Sequence, residues 1–281
     1  VIPIRFISTH RADAGHVDPL REAALLDPRF CVVDDNSGIV FVQGDRTELL
    51  PALESAVRDN AVIAHAAGGE RTKGSTDDRV RDAVTKLAHL HYPVHQQAAK
   101  RLVELGEEPW RICVAGEIGV DTIMGMGDAR LPAGIEPRGG DMVVAVHPVT
   151  GRPEETTDVL NVIGRVFMDH GSTCWLVPPN GDPGSSDVAD MWRFLCERSR
   201  WHRMLPALTH PQFLTVMKRC GTIIGNSSCL ITEAPHVGCL PILIGTRQEG
   251  RIPAPSDGNA CGKILDHMAS CWKRLDLGFK A

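Results

Sequence analysis

No uninterrupted apolar run in this chain of 281 residues approaches the roughly 20 needed to cross a bilayer as a helix, so no membrane association is expected. Paired cysteines are lacking too. The nine cysteines are odd in number and scattered, with no C-x-x-C spacing. Most lie in apolar surroundings such as Ile112-Cys113-Val114, which reads as reduced thiols behaving as small hydrophobes in a cytoplasmic protein. Charge of one sign is not in excess: 30 basic against 35 acidic residues give a net charge of −5, which argues against a dedicated nucleic-acid binder. There is no repeat at a fixed period and no low-complexity tract. The opening Val1–Ser8 lacks a basic leader and a small-residue cleavage site, and reads as a first strand instead of a signal peptide. Hydrophobic residues do abound, at 43%, enough to offset chain entropy in one large domain or two ordinary ones.

Short apolar runs alternate with amphipathic stretches. Strands are predicted at Ile4–Ser8, Ile39–Gln43, Ala61–His65, Leu90–Val94, Ile112–Ala115, Met142–His147, Cys174–Val177, Thr222–Ile224 and Leu240–Ile244. Helices are predicted at Pro19–Leu26, Leu49–Arg58, Asp77–Ala88, Gln97–Leu105, Glu155–Asp169, Val188–Cys196 and Gln212–Lys218, with a further helical stretch near the end. Such alternation implies an α/β fold with parallel sheets and ligands at the carboxyl ends of the strands. The Gly/Pro-rich run Leu131–Gly140 separates two strand–helix series, so a boundary is expected there, with lobes at 1–135 and 136–281 and a ligand cleft between them.

The strand-to-helix junctions hold the candidate chemistry. Thr9-His10-Arg11-Ala12-Asp13 follows the first strand; Arg11 could grip a phosphate, or Asp13 could simply cap a helix. Gly44-Asp45-Arg46 ends a buried strand, where Asp45 suits an acid or base, or an N-cap. The third junction, His65 to Arg81, is the richest. Glu70, Asp77 and Asp78 crowd a glycine pair that permits close backbone approach, and Asp77 and Arg81 share a helix face. Three carboxylates exceed what capping requires, so a site is favoured here. His89-Leu-His91 has a ligand-like spacing without supporting partners, and reads as core histidines or as histidines supporting a neighbouring site. In the second half His147-Pro-Val-Thr150, the run Pro179-Asn180-Gly181-Asp182, and Gly225-Asn226-Ser227-Ser228 with Glu233 beyond occupy the same kind of junction. The last suits a diphosphate, with Glu233 available for a ribose diol.

In order, these stretches resemble the hydrolysing UDP-N-acetylglucosamine 2-epimerases of sialic-acid and related nonulosonate pathways. The similar stretches are Arg11-Ala12-Asp13, Gly44-Asp45-Arg46, Gly68-Gly69-Glu70 with Gly74, Asp77-Asp78 and Arg81, and Thr85–His91. They continue with His147–Thr150, Pro179-Asn180, Asp182–Ser185, Gly225–Ser228 with Glu233-Ala234-Pro235, and Gly245–Gln248 with Gly250-Arg251. The series spans roughly Ile4 to Arg251. Ala12-Asp13 and Ser227-Ser228 stand where the non-hydrolysing branch usually has Pro-Glu and paired glycines.

The resemblance implies two Rossmann-like lobes of the glycosyltransferase-B type, no metal or other cofactor, and a homodimer or dimer of dimers. Its partners would be a UDP-sugar substrate and UDP product. It implies catalytic roles for Asp45, Glu70, Asp77, Asp78 and His147, and binding roles for Arg11, Asp13, Arg81, Asn180, Asp182, Ser227, Ser228, Glu233 and Arg247. The chain departs from the pattern at Ala67, where many members carry a catalytic Glu. A methyl group cannot transfer a proton, so that role is lost, or moves to Glu70 or the Asp77-Asp78 pair. Lys73 and Glu117 are further departures, and the stretch between Phe30 and Ile39 is short.

Overall fold

The computed structural model describes residues 1–8, 14–72, 77–167, 171–179, 181–253, 257–274 and 276–280; the side chains of Ala14 and Asp77 lie outside that description. The chain forms two units, Val1–Arg71 with Asp77–Met124 and Ala254–Ala281, and Thr72–Thr76 with Gly125–Pro253. The division therefore falls at 124/125, ahead of the Gly/Pro-rich run, and the chain's last stretch returns to the first unit. Among the described residues no helix is long and apolar enough to cross a membrane.

In the first unit, β1 (Ile2–Ile7), β2 (Phe30–Val32), β3 (Ile39–Gln43), β4 (Val62–Ala66) and β5 (Leu90–Tyr92) form a parallel sheet in the order β2-β1-β3-β4-β5. The pleat decides its faces. Ile39 and Phe41 join Ile4 and Ala64 against α1 (Ala14–Leu26) and α10 (Ala260–Cys271), where Leu20, Ile264 and Met268 are wholly buried. Val40, Val42 and Ile63 point the other way, onto Leu53 and Ala56 of α2 (Leu50–Arg58) and Val84 of α3 (Asp77–Leu87). Helices on both faces explain why β3 reads as a continuous apolar run.

The second unit repeats the plan. Its strands β6 (Met142–Ala145), β7 (Cys174–Leu176), β8 (His202–Met204), β9 (Thr222–Gly225) and β10 (Leu240–Leu243) lie parallel in the order β10-β9-β6-β7-β8. Val144, Leu176 and Ile224 pack under α6 (Pro153–Phe167) and α7 (Ser185–Arg198), while α8 (His210–Cys220) lies against β6 and β9.

Three local departures have physical reasons. Helix α1 starts before Pro19, which therefore sits inside it. The carbonyl that Pro19 cannot bond belongs to Gly15, and it lies against Gly119, where an added Cβ would stand 3.3 Å away. The strand predicted at Ile112–Ala115 shrinks to a parallel bridge between His91 and Ile112, because Pro93 ends β5 and has no N–H for a ladder. Residues 33–38 carry the chain from β2 past β1 to β3 without a helix, a shorter path than the dozen or so residues a parallel crossover usually takes. A Cβ on Gly38 would stand 2.2 Å from the Pro3 carbonyl oxygen, so only glycine lets the link pass so close.

The return of the chain to the first unit is held by charge and hydrogen bonds. Helix α5 (Ile118–Gly125) carries Asp121, whose two carboxylate oxygens accept the Ala260 and Cys261 amides at 2.9 and 2.7 Å and so cap α10. Arg111, 1% exposed, donates to the carbonyls of Leu277, Asp276 and Phe279. Lys280 donates to the Thr85 and Ala88 carbonyls at the end of α3 and pairs with Glu107 at 2.7 Å.

Candidate functional site

Because β1, β3 and β4 run parallel side by side, their carboxyl-terminal loops gather on one edge of the first sheet. Gly44 turns the chain at the end of β3 with φ of +84°, a conformation glycine adopts freely, and its amide donates to Ala66 at 3.1 Å. Its carbonyl accepts from His65 Nε2 at 2.8 Å, which places the ring proton on Nε2 and leaves Nδ1 facing Thr85 Oγ1 at 3.4 Å. Burial drives the His65 pKa down to about 4, so the ring is neutral and acts as a brace beneath Asp45.

Asp45 and Asp78 meet on one guanidinium. Arg81, 1% exposed, donates Nη2 to Asp45 Oδ2, and Nη1 both to Asp78 Oδ1 at 2.5 Å and to the Glu70 carbonyl at 2.9 Å. Asp45 and Asp78 keep 22% and 28% of their side chains exposed, so the carboxylates face water while their counter-ion is enclosed. Glu70 is turned inward, 4% exposed, with Oε1 3.9 Å from His95 Nε2. His95 Nδ1 accepts the Ala98 amide at the start of α4 (Gln96–Glu104), which fixes the proton on Nε2, the nitrogen facing Glu70. Gly69 has φ of +81°, and a Cβ there would strike the Ala98 carbonyl at 2.3 Å. Ala67 itself holds a left-handed φ of +60°, unusual for a residue with a side chain, and packs on Val94.

Asp77 begins α3, but its side chain lies outside the described residues, as do Arg11, Asp13 and Asn180 altogether. His91 is wholly buried and His89 half-buried: His89 Nδ1 accepts the Ile63 amide at 3.1 Å, and His91 Nε2 donates to buried Glu107 at 3.0 Å. Among the described residues no three His, Cys, Asp or Glu side chains gather as metal ligands.

The second unit has its own cluster, at the ends of β6, β9 and β10. Asn226 joins two loops reciprocally, its Oδ1 accepting the His147 amide at 2.7 Å and its Nδ2 donating to the His147 carbonyl at 2.8 Å. A Cβ at Gly225 would stand 1.9 Å from the Ala145 carbonyl, so β9 approaches β6 only with glycine there. Ser227 and Ser228 lead into α9 (Cys229–Thr232), whose Leu230 and Ile231 amides bond back to their carbonyls. The amides ahead of these are the ones a helix start leaves for an anion. Arg247 Nη1 and Gln248 Nε2 both donate to the Asn226 carbonyl, at 3.2 and 2.9 Å, which seats Arg247 beside that turn. Glu233, 4% exposed, accepts from His210 Nε2 at 2.7 Å. Asp182 precedes α7, its carbonyl accepting Ser185 N–H at 3.1 Å and the Ser185 hydroxyl at 2.5 Å.

Asn226, Gln248 and Glu155 went unmarked as binding residues in the sequence reading. Glu155 accepts the amide of Thr246 and, at 2.9 Å, its hydroxyl, holding the Gly245–Gln248 loop. Asn226 lay inside a noted turn, and its side-chain pairing with another loop gives no sequence signal. Next to this loop is a cavity of about 200 Å³ lined by Leu243–Thr246, Gln248 and Glu249. A larger, open hollow of about 530 Å³ lies between α4 and the Pro109–Val114 segment.

Residues 29–260 match the family model described as UDP-N-acetylglucosamine 2-epimerase. A Neisseria meningitidis UDP-N-acetylglucosamine 2-epimerase is 29% identical over 76% of this chain and 57% of its own length. The Campylobacter jejuni GDP/UDP-N,N'-diacetylbacillosamine 2-epimerase (hydrolyzing) is 27% identical over 76% of this chain and 58% of its own. The chain thus spans under three-fifths of the curated relatives it matches. A Staphylococcus aureus MnaA structure solved with UDP has a TM-score of 0.76 and 17% identity, covering 96% of each chain. The α/β fold, two Rossmann-like units with parallel sheets, is of the glycosyltransferase-B type that the resemblance implied.

Proposed function

The chain belongs to the UDP-N-acetylglucosamine 2-epimerase family, and on that premise we propose that it is a hydrolysing 2-epimerase. It would convert UDP-N-acetylglucosamine, or a close UDP-sugar, to UDP and free N-acetylmannosamine. The observation that carries this reading is the pairing of Asp45, in the loop after β3, and Asp78, in the first turn of α3, on buried Arg81. Two partly exposed carboxylates on one fixed cation are suited to receiving and returning a proton without moving.

In this reading Asp45 takes the C2 proton as the C1–O bond to UDP breaks, giving a 2-acetamidoglycal. Water then adds its hydroxyl to C1 while a proton returns to the opposite face of C2, from Asp78 or its neighbour Asp77. One sugar nucleotide and one water thus give N-acetylmannosamine and UDP. Glu70 acts through its carbonyl on Arg81 as a positioning residue. Arg11 with Asp13, Ser227, Ser228 and Arg247 neutralise the departing diphosphate. His147, Asn180 and Asp182 hold the sugar and phosphate, and Glu233 the ribose. A cytoplasmic homodimer or dimer of dimers belongs to the same reading.

Ala67 favours one other reading, a nucleotide-sugar-binding protein without turnover. Phosphorus and proton spectra of the protein with UDP-N-acetylglucosamine test both. Free N-acetylmannosamine with UDP is the expected result. UDP-linked N-acetylmannosamine would assign the non-hydrolysing reaction. UDP binding without turnover, together with activity gained by Ala67→Glu, would support the silent protein.

A further inference from the structure

We propose that His210 is a positioning residue for ribose recognition, holding the buried Glu233 carboxylate where it accepts the hydroxyls of a nucleoside diphosphate. This deepens the nucleotide reading above and rests on it. A carboxylate as enclosed as Glu233 is costly to bury unless hydrogen-bonded. Its oxygens can only accept, so His210 Nε2 is the donor across their 2.7 Å separation.

Both ends of that bond are fixed by local structure. His210 sits in the first turn of α8, beside Pro211. The turn begins with a capping box in which the Thr209 hydroxyl and the Gln212 side chain each bond the other's backbone. Glu233 is anchored by its amide to the Cys229 carbonyl at 3.1 Å and by its own carbonyl to the His236 amide at 3.0 Å. A flexible Glu side chain is thereby held in one orientation before any ligand arrives, which lowers the ordering cost of binding.

The chemistry selects the ligand. A carboxylate offers about four lone-pair positions, and His210 takes one, leaving room for two hydroxyl donors. A vicinal diol fits that demand, whereas a phosphate would be repelled. Glu233 follows the Gly225–Ser228 turn by the short helix α9 alone, so a diol at Glu233 and a diphosphate at the turn belong to one ligand.

The test is calorimetric titration of the whole chain with UDP and with 2′-deoxy-UDP. Wild type should prefer UDP by about tenfold or more, as a hydrogen bond to a charged group implies. Glu233→Gln should lower that preference. His210→Ala should cut it to about threefold or less, weakening UDP more than 2′-deoxy-UDP, which keeps only one of the two hydroxyls. His210→Gln, whose amide can still donate, should restore most of it. An unchanged preference in His210→Ala would overturn the proposal. So would an equal loss for both nucleotides in His210→Ala and His210→Gln, which would make the residue merely structural. Failure of the wild type to bind UDP would overturn the nucleotide reading itself, and this proposal with it.

Discussion

Arg81 joins two candidate catalytic carboxylates to the loop that bears Glu70, and it does so from a site almost closed to water. Replacing it with Met would leave Asp45 and Asp78 close together without their shared cation. Arg81→Met should therefore cost about 3 kcal/mol in urea unfolding and abolish turnover. His65 gives a second residue-level expectation. Its folded pKa of about 4 lies below the 6.5 of an ordinary histidine, so between those values the unfolded chain binds a proton that the fold refuses. The stabilisation is full above pH 6.5 and is lost as pH falls towards 4, by up to about 3 kcal/mol. His89, also held near 4 by burial, adds to the same slope. Unfolding measured at pH 7 and pH 5 should show a smaller loss in His65→Asn than in wild type. The carboxylates themselves were legible in the sequence because each follows a strand. Their sharing of Arg81 was legible only in part: Arg81 lies on the helix that Asp78 helps begin, but Asp45 reaches it across the sheet.

At the scale of elements, legibility followed burial. Strand β3 has the limits its pattern predicts because all but its last residue is fully buried, while α8 extends two residues beyond the predicted Gln212–Lys218 at each end, its apolar stripe facing β6 and β9. The edge strands β2 and β8 were missed; each is three residues long with one buried side chain, too little pattern to register. Helix α1 was begun at Pro19, since proline favours a first turn, whereas the freed Gly15 carbonyl is accommodated beside Gly119. The cap on α10 was invisible for a different reason: Asp121 and the amides it accepts lie far apart in sequence. Asp121→Ala should cost about 1 kcal/mol and speed amide exchange in the first turn of α10, with β6–β10 unaffected.

At the scale of the molecule, the chain folds as two units whose sheets share one plan, and its last helix returns to complete the first. That return depends on Arg111 and on the Glu107–Lys280 pair. Deleting residues 276–281 would strip Arg111 of three carbonyl acceptors and Glu107 of one of its cations, so the first unit should unfold at lower urea than in the intact chain. The unit pattern was foreseeable from alternating strands and helices. The return was not, because the final helix carries no sign of which sheet it covers. The reaction proposed for the chain is proton exchange at C2 of a nucleotide sugar. The most direct test follows UDP-N-acetylglucosamine in deuterated water by proton spectroscopy, with wild type and Asp45→Asn side by side. Deuterium at C2 of released N-acetylmannosamine, with the rate at least about a hundredfold lower in Asp45→Asn, is the expected result. Product that keeps its C2 proton, or equal rates in the two proteins, would contradict Asp45 as the base.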